Sequence, residues 1–318
     1  MERLKRNFIL ALALGVTVYL VLAVVSGFGS LTAALEDFDF ALVPAILGLV
    51  LLSYAGRFLR WLYYLKLLKV SVPLPTNAAI FAAGLSMTIS PGKLGEVLKS
   101  VFIRQASGAP VARTAPAVFA ERATDGTGMV AWGFLGAFAL GLAPGMLVLF
   151  LAVAALGIAV LRSKRLSLLA ERAILKLPLL NRLAPHLKDF HASSNELLSS
   201  RPLVVGTVIS FLSWGLECLA VYLCSVGLST GMPFLLVVFI FATSSLVGVL
   251  SMIPGGIGAV EAGLYGQFVT VAGLPAGQAA ALTVIIRLAT LWFATLIGIV
   301  GLFAVRMILG DASIEPES

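Results

Sequence analysis

Apolar stretches of about 20 residues succeed one another along most of this 318-residue chain, each long enough for a helix to cross the hydrocarbon of a bilayer. They cover residues 8–28, 40–65, 76–102, 114–140, 145–161, 203–228, 233–271 and 277–306. Backbone N–H and C=O groups find no partner in lipid, so such stretches must satisfy them internally. Hydrophobic residues make up 60% of the chain and charged ones 12%, about half the share usual in a soluble domain. The fold class expected is therefore an all-α polytopic membrane protein.

The charges orient it. Arg3, Lys5 and Arg6 place the N-terminus in the cytoplasm, whereas Glu36, Asp37 and Asp39 mark the first loop as external. The first stretch is longer than the apolar core of a signal peptide and reads as a retained span. Arg57, Arg60, Lys66 and Lys69 bring the chain back inside, and Arg104 and Arg113 must also lie inside. Residues 76–102 are broken at Pro91-Gly92, so they enter and leave on one side as a re-entrant hairpin. By the same parity residues 233–271, broken at Pro254-Gly255-Gly256, form a hairpin opening from the outside. The expectation is six full spans and two broken hairpins, with both termini inside. Full-length helices in place of the hairpins are the alternative. A connector at 162–201 holds eight Lys/Arg against three acids. Its apolar positions Leu166, Leu169, Ala173 and Leu177 suit a helix lying on the cytoplasmic lipid surface. The net charge of +7 would suggest nucleic acid in a soluble protein, but here the basic residues flank apolar spans and face anionic lipid. Cys218 and Cys224 lie on different faces of one span, and no Cys/His cluster has metal-ligand spacing.

The two halves resemble each other. Leu52-Ser53-Tyr54 matches Leu212-Ser213-Trp214, and the Pro91-Gly92-Lys93-Leu94-Gly95 break matches Pro254-Gly255-Gly256-Ile257-Gly258. Glu96 and Glu261 each follow closely, Arg122 is echoed by Arg287, and Gly136 and Gly301 each trail their arginine. Three collinear matches indicate duplication. Repeats at 29–141 and 203–309 would have opposite topology, the architecture of many transporters, whose sites lie at the repeat interface. A charge inside the bilayer costs roughly 2.5–3.5 kcal/mol at the span centre, so each needs a partner or a use. Those within the apolar stretches are Arg57, Arg60, Lys93, Glu96, Lys99, Glu121, Arg122, Asp125, Glu217, Glu261 and Arg287. A helix restarting after a Pro-Gly break offers free N–H groups and a positive dipole end to an anion. Two opposed hairpin tips with Arg122 and Arg287 would then form an anion-binding centre. Glu121 and Asp125, four apart, would orient the arginines and carry a coupling proton, or simply neutralise them. Arg57 and Arg60 would snorkel to the interface or capture a headgroup.

Pro91, Gly95-Glu96, Lys99, Arg104, Glu121-Arg122, Asp125, the Pro254-Gly255-x-Ile257-Gly258 run and Glu261 together resemble the flippase-like transmembrane domain of lysylphosphatidylglycerol synthases. The resemblance covers nearly the whole chain and is to stand-alone members without the soluble aminoacyl-transfer domain. It implies lipid movement between leaflets, not lipid synthesis, in a bacterial or archaeal plasma membrane, with the matched residues near the headgroup path. Lys93 and Lys99 stand where Arg is expected, and a lysine lacks the bidentate fork. The lipids implied are phospholipids, hopanoids or polyprenol-linked glycans; a homodimer is compatible. No cofactor, metal or nucleic acid is expected. The chain carries no GxxxxGK[ST] loop, so ATP does not drive it directly. A lipid flippase moving an anionic or lipid-linked headgroup through a basic cavity is the leading reading. A secondary transporter of a soluble anion, or a membrane-embedded transferase using Glu96, Asp125 or Glu261 as base, are the alternatives.

Overall fold

A computed structural model of the chain describes residues 2–90, 96–141 and 184–310. The expected span at 145–161 and the connector positions 166–177 lie outside the described residues. So do Pro91, Gly92, Lys93 and Gly95 of the first break. All described regular elements are helical.

Helix α1 (Glu2–Ser26) covers the first apolar stretch and breaks at Gly27, whose φ of 83° suits glycine. Helix α2 (Phe28–Glu36) leaves at 100° to it. α3 (Val43–Leu67) starts on a proline in its first turn, where the missing N–H is harmless. α4 (Leu74–Leu85) and α5 (Leu98–Ser107) are the arms of the first broken segment, and α6 (Val111–Ala139) follows. α7 (Ala184–Leu197) makes the end of the connector a helix docked on α6, with Leu197 fully buried and Phe190 edge-on to Phe119. α8 (Ser200–Gly227) leads to the second broken segment. Its arms α9 (Phe234–Leu250) and α10 (Ala259–Thr270) flank a tight turn at Pro254–Gly256. α11 (Ala276–Arg287) and α12 (Phe293–Leu309) form one long helix through a π-helical turn at Leu288–Trp292. Phe40–Leu67, Ser200–Gly227 and Ala276–Leu309 are long and apolar enough to cross a membrane. α6 is equally long but carries Arg113, Glu121, Arg122 and Asp125, so its stability in lipid depends on its partners.

The packing pattern occurs twice. α3 and α8 pack on each other; α4 packs on α12 as α9 packs on α6; and each broken segment folds its two arms together. Close approach of α6 and α12 depends on glycine. A Cβ on Gly136 would stand 2.9 Å from the Leu235 carbonyl oxygen of α9, and one on Gly301 only 2.3 Å from the Ala83 nitrogen of α4. α3 and α8 run antiparallel, since Gly206 abuts the Tyr64 hydroxyl at one end and Gly227 abuts Phe38 at the other. Between these ends lie Ser53, Arg57, Ser213 and Glu217. A Cβ on Gly298 would lie 2.0 Å from the Ser86 nitrogen, so Gly298→Ala must push α12 off α4. It is expected to cost about 1–3 kcal/mol, read as a lowered thermal midpoint in detergent.

Candidate functional site

Helical spacing gathers the charges before tertiary packing does. Arg57 and Arg60 share a face of α3, Glu96 and Lys99 share one side of the second arm, and Glu121 and Asp125 share one of α6. Packing then closes them into a ring. Glu96 lies 3.6 Å from Lys99, and Lys99 Nζ lies 2.5 Å from Glu121. Glu121 lies 3.9 Å from Arg60, and Arg60 donates to Asp125 Oδ1 at 2.7 Å. Asp125 Oδ2 lies 3.0 Å from Arg122, which returns to Glu96 at 3.3 Å. Three cations thus alternate with three carboxylates, every neighbour of opposite sign. Lys99 also lies over the Trp61 ring at 4.5 Å, and Thr124 and Ser210 donate or accept around Arg60 and Asp125. Ring members are buried except Arg122, whose side chain is 28% exposed.

The second broken segment is built differently. Glu261 Oε2 accepts from the Gly258 N–H, capping α10 with its own side chain. Arg287 holds both ends of the turn, donating from Nε to Glu261 Oε1 at 2.7 Å and from Nη2 to the Gly255 carbonyl at 2.8 Å. Gly256 and Ile257 N–H groups bond back to Ile253 and Pro254. The expectation of free N–H donors is therefore corrected at Gly256 and Gly258: the turn consumes them itself. Gly255, Gly256 and Gly258 all have positive φ, which is why the turn needs glycine. Glu96 with Arg122, and Glu261 with Arg287, nonetheless form the same pair in both halves.

Arg57 and Arg60 do not snorkel. Arg60 is 1% exposed, and Arg57 pairs with Glu217 across the α3–α8 contact. This supplies the partner that Glu217 requires. Tyr54 and Trp214 flank the Arg57 guanidinium, with centroids at 5.7 and 4.6 Å. Tyr54 also donates to the Thr290 carbonyl in the π-helical turn, tying α3 to the α11–α12 helix.

A cavity of about 220 Å³ lies where these groups meet. Its wall draws on both broken segments (Ser90, Glu96 and Lys99; Ile253, Gly255 and Gly256) and on Arg57, Arg60, Arg122 and Arg287. Glu121 and Asp125 complete its charges, while Glu217 and Glu261 stand behind Arg57 and Arg287. Five cations and three carboxylates line the wall, and Glu217 and Glu261 behind it bring the described charges to five of each sign. Arg57 Nε, Arg60 Nε, Arg122 Nε and Trp214 Nε1 are buried in the cavity-lining residues with no hydrogen-bond partner among the described residues. Buried donors are rarely left so. Trp214 and Tyr54 were legible as a duplicated position but, being uncharged, gave no sign of lining a site. No group of three His, Cys, Asp or Glu suited to a metal occurs among the described residues.

Comparison with known proteins identifies a family for this chain. The family described as the lysylphosphatidylglycerol synthase TM region matches residues 8–298. A UPF0104 membrane protein of Pyrococcus horikoshii is 24% identical over 96% of this chain and 99% of its own length. Another, of Methanothermobacter thermautotrophicus, is 33% identical over 38% of this chain, and the match spans 36% of that relative. A second Methanothermobacter relative is 34% identical over 36% of this chain and 33% of its own length. The ring, the capped turn and the cavity all fall within the matched residues, and the chain belongs to the family of the lysylphosphatidylglycerol synthase transmembrane region.

Proposed function

We propose that this chain moves an anionic lipid headgroup between the leaflets of the cell's plasma membrane through the central cavity. The observation that carries the reading is a set of five cationic donors, Arg57, Arg60, Lys99, Arg122 and Arg287, on the wall of a cavity lined from both broken segments. Those donors suit a ligand rich in acceptor oxygens, such as a phosphate diester. A charged headgroup meets a prohibitive barrier in hydrocarbon; each 1.4 kcal/mol removed by a polar path is about tenfold in rate.

The two halves are read as inverted repeats. Antiparallel α3 and α8 bring position 57 against 217, its own duplicate at the same 160-residue offset that relates 54 to 214, as packing close to a two-fold axis in the membrane plane allows. Tyr54 and Trp214, duplicates of each other, flank the same guanidinium. Both broken segments are then re-entrant, and both termini lie inside.

The test is translocation of fluorescent phosphatidylglycerol in proteoliposomes, read by dithionite quenching of the outer leaflet. Protein-containing vesicles are expected to lose the protected half of the signal; protein-free vesicles keep it. Equal protection in both would end the lipid reading. Uptake of labelled sulfate in the same vesicles would favour a soluble anion instead.

A further inference from the structure

We propose that Asp125 takes up one proton when an anion draws Arg122 out of the ion-pair ring, so that anion capture is coupled to protonation. The ligand class rests on the transport reading above; the coupling has its own test. The geometry begins with the unequal use of the two Asp125 oxygens. Oδ1 accepts from Arg60 at 2.7 Å and from Ser210 at 2.7 Å. Oδ2 is buried and has no hydrogen-bond donor; its compensation is the Arg122 guanidinium 3.0 Å away, outside hydrogen-bonding alignment. All six ring members line the cavity, but Arg122 is the one whose side chain is substantially exposed, at 28%, and its Nε has no hydrogen-bond partner among the described residues.

An anion arriving in the cavity competes with Glu96 and Asp125 for that guanidinium. When Arg122 turns to it, the five groups left behind are three carboxylates and two cations, Lys99 and Arg60, in a buried setting. An uncompensated buried carboxylate is strongly disfavoured, and a proton removes the excess charge. The oxygen that loses its cation while holding no donor is Asp125 Oδ2, so the O–H bond forms there, with the proton taken from solvent through the cavity.

The surroundings of Asp125 leave few other candidates. From α3 it faces Arg60, with Arg57 farther off; from α5 the ring brings Lys99; and its own helix supplies Glu121 and Arg122. α8 supplies Ser210, and its Glu217 is engaged by Arg57. α9 contains no titratable residue; α7 carries His186, Lys188, Asp189, His191 and Glu196, of which Asp189 and Glu196 are exposed. Linkage fixes the sign: if the bound state holds one more proton, binding strengthens as pH falls and weakens by up to about tenfold per pH unit on the alkaline side.

The experiment is calorimetric titration of the full purified chain in two buffers of different ionisation enthalpy, which counts protons exchanged. The probes are dioctanoylphosphatidylglycerol and sulfate, neither of which titrates near neutral pH; whichever binds identifies a headgroup or a free anion as the source. About one proton taken up per anion is expected. Asp125→Asn, which resembles the protonated acid, should bind with a proton count near zero and an affinity that no longer varies with pH. A purely structural Asp125 would instead weaken binding equally at every pH. Infrared difference spectra of the unmodified protein should show a protonated-carboxyl band growing on binding, a readout that survives if the variant fails to fold. No binding of either probe, a wild-type count near zero, an unchanged count in Asp125→Asn, or no such band would each overturn the proposal. Lipid translocation with no proton uptake would remove the coupling and leave the transport reading. Proton-coupled binding without translocation would do the reverse.

Discussion

Arg122→Ala is expected to slow lipid translocation about 10- to 100-fold while the protein still folds and stays monodisperse. The magnitude follows from losing one charge-assisted hydrogen bond of about 1.5–3 kcal/mol to the passing headgroup. The fold should survive because Arg122 is the exposed vertex of the ring, and a proton on the carboxylate it leaves behind restores the balance with Lys99 and Arg60. Arg122→Lys separates charge from shape. It keeps a cation, but Arg122 meets both Glu96 and Asp125 through Nη2 alone, and a lysine has no further planar donors left to offer a headgroup, so an intermediate rate is expected. Dithionite kinetics on the three proteins, with circular dichroism and gel filtration as folding controls, check this. A rate within twofold of wild type for Arg122→Ala would remove Arg122 from the headgroup path.

Arg287→Ala should behave in the opposite way, as a loss of stability of about 3–5 kcal/mol. Its guanidinium neutralises Glu261, which is 1% exposed, and also holds the Gly255 carbonyl. Removing it leaves an uncompensated buried carboxylate beside a turn already committed to three positive-φ glycines. Glu261→Gln in the same chain removes the stranded charge and keeps an acceptor for the Gly258 N–H, so the double variant should regain much of the loss. Thermal unfolding of the two single variants and the double variant in detergent measures the coupling. If Arg287→Ala unfolds at the wild-type temperature, the arginine is not the clasp of this turn.

The contrast between Arg122 and Arg287 shows where sequence reading stops. The sequence matches the two positions to each other and assigns them the same role. Their surroundings separate them. Glu261 sits three residues into α10, where it caps the helix and fixes Arg287 to the turn; Glu96 shares its cation with a ring that reaches into α3 and α6. Arg57 misled in another way. Its place toward the end of an apolar span suggested snorkelling, but a carboxylate 160 residues away in the chain meets it.

What the sequence determined by itself is the helical membrane class, the two breaks and the need for every charge in the spans to find a partner. Those follow from local physics: lipid forbids unpaired backbone, Pro-Gly stops a helix, and ions in hydrocarbon require compensation. The tertiary structure alone decided which cation meets which carboxylate, that the second turn is closed on itself, and that five cations and three carboxylates line one cavity with walls from both broken segments. Those depend on how each helix is rotated about its axis and which one lies beside it. Composition and periodicity do not specify that rotation; it is set by close contacts such as Gly136 on Leu235 and Gly301 on Ala83.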